Sequence, residues 1–261
     1  MKNKMLLLFV IIAVLSGCET SNRYVKVSRA IDADVPKDKI KVISVMKFED
    51  LTVDTTKYKS WSSGISDQVM ESLGAIPYYS VISRNYTVDI VMKEQEFQLL
   101  GATDVDSAVK LGNLLNAQYI VVGSYQVMGN FIQINSKVMT VETGQLVVQA
   151  SVMGPIDQFF IHQNEIALRI CQGMNLFLSP EVQKKLLARC ETKVVEASLA
   201  NYQGQEKMEE ITVLKKKGET KKIKEIARKA EEDFNKAVNL DKDYKKALDN
   251  KRKVLGSIIT L

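Results

Sequence analysis

The stretch LGNLLNAQYIVVGSYQVMGNFIQINSKVMTVETGQLVVQA, Leu111 to Ala150, decides the fold. It reads as the end of a helix, a buried strand, a tight connection, a second strand, a turn and a third strand. Ala117 to Gly123 is short, apolar and β-branched, the composition of a strand covered on both faces. Met128-Gly129-Asn130 is turn chemistry, because Gly and Asn tolerate positive φ. Ile132, Ile134, Ser136 and Val138 alternate with Gln133, Asn135 and Lys137, the period of a half-exposed strand. Glu142-Thr143-Gly144-Gln145 turns the chain again, and Leu146-Val147-Val148 opens the next strand. Such a meander supplies a sheet core and carries no chemistry of its own.

Working outward towards the N-terminus, Val105, Ala108, Val109, Leu111, Leu114 and Leu115 predict a helix with a broad apolar stripe, capped by Asp104 or Asp106. Before it, Val88 to Leu100 has helical spacing and ends at Gly101. Ile40 to Phe48 is a first strand, rich in β-branched residues. Ile65, Val69, Met70 and Leu73 predict an amphipathic helix, capped by one of the serines ahead of it and stopped by Gly74 and Pro77. Tyr78 to Ser83 is the next strand. Strand, helix, strand in that order is a crossover unit, which joins parallel strands. Beyond the meander, Gly154-Pro155 breaks the sheet and Ile156 to Leu178 is a closing helix.

The first residues, MKNKMLLLFVIIAVLSGC, have a different character. Lys2 and Lys4 are followed by an unbroken apolar run from Met5 to Leu15, too short to span a bilayer alone. Leu15-Ser16-Gly17-Cys18 resembles the lipobox of bacterial lipoproteins. That resemblance implies a signal peptide at 1–17, cleavage before Cys18, and acyl chains such as palmitate on Cys18. Each buried CH₂ contributes about 0.8 kcal/mol, so several chains hold a protein firmly on a membrane. Glu19 to Lys39 is polar and reads as a tether, 18–39.

The folded part resembles the CsgG family of bacterial envelope lipoproteins, and the wider group that includes the N-terminal domain of TolB and lipoprotein activators of penicillin-binding proteins. The residues that carry the resemblance are Arg84, Glu94-Gln95, Gly101, Asp104, Leu111-Gly112, Ala117, Tyr119-Ile120-Val121, Gly123 and Thr143-Gly144. The resemblance implies a mixed α/β domain over 40–178, in the cell envelope at the periplasmic face of the outer membrane. It implies no catalytic residues and no cofactor. The expected role is non-enzymatic, in assembly or secretion of surface structures. An adaptor that activates a cell-wall synthase is the alternative. The curli-secretion member forms a ring with a pore of added strands. This chain departs there: Glu49 to Lys59 is too polar for a membrane strand, and Ile132 to Val141 already serves the sheet.

Residues 179–261 read as a helical region. Ala230, Phe234 and Ala237 match the second helix of a tetratricopeptide repeat, and Gly218 falls where that repeat has a first-helix glycine. An ordinary helical hairpin explains them equally well. The densely charged Lys207 to Lys229 reads as a solvated face. Contact with anionic lipid headgroups is the weaker reading, since the segment lacks an aromatic apolar face.

Composition narrows the function. The chain has 261 residues, one histidine, three cysteines and a net charge of +5. That surplus gives no case for nucleic acid. His162 has Glu165 three residues on but no second ligand, so no metal site is expected. Asp50, Asp54, Glu94 and Glu96 are available acids, and nothing places them in a cleft. Outside the cytoplasm Cys171 and Cys190 form a candidate disulfide, with two reduced thiols as the other reading. The expected partners are the membrane, through Cys18, and envelope proteins, including further copies of the chain.

Overall fold

The computed structural model describes residues 23–25, 29–30, 33–53, 57–84, 86–87 and 105–259. The predicted helix Val88–Leu100 and the lipobox lie outside them. Strands are β1 (Lys41–Val45), β2 (Glu49–Asp50), β3 (Tyr79–Val81), β4 (Tyr119–Met128), β5 (Phe131–Thr140) and β6 (Leu146–Pro155). Helices are α1 (Trp61–Gly74), α2 (Val105–Leu114), α3 (Phe159–Gly173), α4 (Pro180–Leu187), α5 (Val195–Lys217), α6 (Thr220–Leu240) and α7 (Lys245–Ile259).

The strands form one mixed sheet in the order β3-β1-β4-β5-β6, with β2 also on β4. β1 is parallel to both β3 and β4, as the crossover through α1 requires. β4, β5 and β6 are antiparallel, and this is the predicted meander. β4 runs past Gly123 to Met128 because its ladder with β5 continues to the Met128–Phe131 pair. Only Gly129 of the first turn takes positive φ, at 58°; in the second turn Gly144 does, at 67°. Gly154 and Pro155 do not break β6. They occupy its last two rungs, opposite Ile132 and Phe131. Pro155 is tolerated there because β6 is an edge strand. Residues 156–158 then form a single 3-10 turn before α3.

Two apolar clusters flank the sheet. Ile43, Val45, Val121, Ile134, Val138, Val148 and Val152 face α1 and α3. Trp61 stacks on Phe159 with ring centroids 4.0 Å apart, joining the two helices. On the other face Ile120 and Met139 meet Ala108 and Leu111 of α2.

α1 is buried on nearly every side, small residues included: Ser62, Ser63, Gly64, Ser66 and Ser72 are all covered. Its inner side meets the sheet, and its outer side meets α5. The expected serine cap is absent. Ser60 makes no side-chain capping bond, and Ser66 instead bonds back to the carbonyls of Ser62 and Ser63 at 3.0 and 2.9 Å.

The stretch read as a tether is pinned to the fold at several points. Val25 N–H donates to Val81 O at 2.9 Å, and Ala30 N–H to Ala75 O at 2.8 Å. An open edge of β3 offers unpaired backbone groups, and polar composition does not prevent pairing with them.

The C-terminal helices begin inside the main core, to which Leu186, Leu199 and Tyr202 belong. α5 and α6 then form a long hairpin, with α7 packed on α6. Gly218 is not a first-helix glycine. It lies between α5 and α6 with φ 73°, and its N–H and that of Glu219 bond back to Lys215 and Leu214 in a Schellman cap. The glycine inside the first helix is Gly204, where a Cβ would come within 2.5 Å of the Phe234 ring. The tetratricopeptide register is therefore not the one used. Ala230, Phe234 and Ala237 are nevertheless all fully buried.

Candidate functional site

Two ion networks and one open sheet face carry the surface chemistry. The first network lies where α1 meets α5. Arg84 follows β3, and its Nε stands 2.6 Å from Asp67 Oδ1 on α1 and 3.5 Å from Glu209 Oε1 on α5. Its Nη2 donates to Ser63 O at 3.2 Å and to Ser66 Oγ. Burial works against the guanidinium charge, but Asp67 and Glu209 outweigh it, so the Arg84 pKa rises. Burial likewise pushes the Glu209 carboxyl up, with Arg84 opposing. Beside this network is a cleft of about 260 Å³, its lining including Met208, Asn250 and Lys253. Three of the charged groups that line it, Asp67, Arg84 and Glu209, are paired with one another.

The second network fastens α7 to α1. Lys246 Nζ lies 2.7 Å from Glu71 Oε1 and 2.6 Å from Glu191 Oε1. Tyr244 donates its hydroxyl to Glu191 at 3.3 Å and accepts from Asn201 Nδ2 at 3.0 Å. Asn250 Nδ2 donates to Asn201 Oδ1 at 3.0 Å. Burial, and then Glu71, push the Glu191 carboxyl up to about 7 against the pull of Lys246. Lys246 in turn is raised, because two carboxylates outweigh its burial.

The open face belongs to β4–β6. Gln126 Nε2 donates to Gln133 Oε1 at 3.1 Å, Gln133 Nε2 to Asn135 Oδ1 at 3.3 Å, and Ser151 Oγ to Asn135 Oδ1 at 2.8 Å. Apolar side chains rim this ladder: Phe131 is 47% exposed, Val147 41% and Met153 59%. Such a face, next to a ten-residue edge strand, is suited to a protein surface or an added strand.

The candidate residues fall in different places. Cys18, Asp54, Glu94 and Glu96 lie outside the described residues. Asp50 accepts from Thr52 N–H at 2.9 Å and serves the β2 turn. His162 is buried over Gly154, and its Nε2 is 3.1 Å from Pro155 O. It seats the end of β6 on α3. Among the described residues no group of three His, Cys, Asp or Glu side chains could hold a metal ion.

The candidate disulfide is not formed, and both Cys171 and Cys190 are free. Cys171 is buried under the sheet, whereas Cys190 is exposed and points its thiol at Thr192 O. Asn164 of α3 donates to the carbonyls of Leu187 and Arg189, so the chain near Cys190 is held at Asn164. Cys171 lies seven residues further along that helix, about 10 Å at 1.5 Å per residue. Bridged Cα atoms must come within about 7 Å.

Glu191, Glu209 and Lys246 escaped sequence reasoning, because isolated charges in a polar region look alike. The crowd of small residues from Ser62 to Ser66 was a usable signal that α1 is covered on two sides.

The geometry is a mixed sheet with helices on both faces, two ion networks where the helical region meets it, and an open polar face on β4–β6. The family model for the curli production assembly/transport component CsgG matches residues 25–129. The matched residues run from the Val25 pairing to the first hairpin turn, so the likeness covers the first part of the sheet and not the helical region. No curated protein matches the chain by sequence. Solved structures similar to it include the LpoB C-terminal domain from Salmonella enterica, at 14% identity, covering 44% of this chain and 82% of that one, with a TM-score of 0.35. Lipoprotein GNA1162 from Neisseria meningitidis is similar at 12% identity, over 44% of this chain and 80% of that one, TM-score 0.34. A PelC dodecamer from Paraburkholderia phytofirmans is similar at 13% identity, over 58% and 91% respectively, TM-score 0.29.

Proposed function

We propose that the protein is a lipid-anchored lipoprotein of the cell envelope, on the periplasmic face of the outer membrane. It acts without catalysis, as a scaffold in the assembly or secretion of envelope or surface structures. The observation that carries this reading is the CsgG-family match over residues 25–129. The open β4–β6 face is the surface offered to partners, and the two ion networks hold the helical region still behind it. The Cys18 lipid keeps the scaffold at the membrane.

Size-exclusion chromatography with light scattering, followed by crosslinking and pull-down from envelope extracts, tests the reading. The expected result is self-association, or capture of assembly or export components. A monomer that captures a cell-wall synthase supports the adaptor role instead. Turnover of a small substrate, abolished by changing one acidic residue, contradicts both.

A further inference from the structure

The ten residues from Lys215 to Lys224 hold six lysines, Lys215, Lys216, Lys217, Lys221, Lys222 and Lys224, against one glutamate, Glu219. Their net charge of +5 equals that of the whole chain, so the other residues together sum to zero. The structure gathers this charge at one place: the last turn of α5, the Gly218 cap and the first turns of α6. All six lysines are exposed. Glu219, the one acid among the ten, pairs with Lys222 at 2.8 Å. Favourable placement at the α5 C-terminus explains Lys215, Lys216 and Lys217. It does not explain Lys221, Lys222 and Lys224, which stand at a helix N-terminus, where cations are disfavoured.

The second observation is where the chain enters the fold. Ser83 N–H donates to Arg23 O at 2.7 Å, and the next residue, Arg84, reaches Glu209 on α5. The N-terminal segment therefore meets the body beside α5. Lys215 is six residues beyond Glu209, about 9 Å along the helix. From Cys18 to Arg23 the chain can span at most about 18 Å. An acyl chain on Cys18 thus keeps the body close to its bilayer, with the lysine end of the hairpin near the point of attachment.

We propose that this lysine end docks electrostatically on an anionic lipid bilayer surface, the leaflet that holds the Cys18 lipid. The partner is a sheet of phosphate-bearing headgroups. Contact is peripheral, since no apolar face is offered for insertion. The docking fixes the orientation of the scaffold and adds a second attachment signal to the acyl chains. The proposal rests on the lipoprotein reading for its geometry, but its test does not need the lipid.

A chain starting at Glu19 retains every described element and lacks the acylated cysteine. It is sedimented with vesicles of phosphatidylcholine alone, and with vesicles in which about a third of the lipid is phosphatidylglycerol. The expected result is partitioning onto the anionic vesicles at least roughly tenfold above the neutral ones. The difference should vanish near 1 M salt, where the screening length is about 3 Å. The triple variant Lys215→Glu, Lys217→Glu, Lys221→Glu should still melt cooperatively, somewhat below the parent temperature because two acids then stand at the α5 C-terminus, and lose the anionic preference. Equal binding to both vesicles, or a folded triple variant that still prefers anionic lipid, overturns the proposal. So does a preference for DNA over anionic vesicles at matched phosphate concentration. The mass at Cys18 is read separately, so failure here and failure of the lipoprotein reading are distinct results.

Discussion

The ring of Tyr202 on α5 occupies the space beside Gly64 on α1, where a Cβ would come within 2.2 Å of it, so there is no room for a methyl group. The two helices approach this closely because one contributes no side chain at the crossing. Gly64→Ala must therefore displace Tyr202, at a cost of about 1–3 kcal/mol for overpacking. Chemical denaturation reads that cost. The Gly64→Ala, Tyr202→Ala double variant should lose less stability than the two single losses combined, because the added methyl then occupies part of the vacated space.

Arg84 is the common partner of Asp67 and Glu209, so its removal leaves two carboxylates in a covered site without a cation. Arg84→Ala is expected to destabilise by about 3–5 kcal/mol. Arg84→Lys should recover only part of this, since a single ammonium cannot reproduce the fork that reaches Asp67, Ser63 and Ser66. Limited proteolysis should cut first between the sheet and α5 in both variants. Unchanged stability of Arg84→Ala contradicts this role.

Glu191 makes stability depend on pH. Its carboxyl is raised from 4.5 to about 7 in the fold, so between those values the folded chain holds a proton that the unfolded chain has released. Stability should fall as pH rises from 5 to 7 and level off above, with a slope of at most about 1.4 kcal/mol per pH unit. Melting temperature across pH 5 to 8 measures it. Glu191→Gln keeps a neutral group beside Lys246, and should flatten the slope and exceed the parent at pH 8.

The thiols should differ in reactivity. Burial pushes the Cys171 thiol up to about 12, while Cys190 is exposed. In a chain starting at Glu19, one equivalent of thiol should react with maleimide in the native state and two after denaturation. Reductant should leave the melting temperature unchanged. A native chain with no reactive thiol, gaining two on reduction, points to the disulfide after all.

Much of the fold was legible because its signals are local. Alternation in Ile132 to Val138 and the glycines at 129 and 144 mark the meander, and the order of strand, helix and strand before it marks the parallel pair. Elements whose ends depend on distant partners were less legible. β4 extends to Met128 only because β5 pairs with it, and Pro155 stays in β6 only because that strand is an edge. Gly218 illustrates a different failure: a glycine at a plausible repeat position turned out to cap a helix, while Gly204, under Phe234, fills the packing role. Arg84 was singled out through the family resemblance, but its partners were not. Asp67 and Glu209 lie 17 and 125 residues away in the chain, and only the docking of α5 on α1 brings them together.

The central claim is that an acylated Cys18 holds a non-catalytic scaffold at the membrane. The most direct measurement is the intact mass of the chain purified from envelopes of cells that express it. The account predicts a mature protein beginning at Cys18 and heavier than its amino-acid sequence by the mass of its acyl groups, with Cys18→Ser lacking that mass. A membrane-bound chain of unmodified mass, or one whose mature end lies elsewhere, contradicts it.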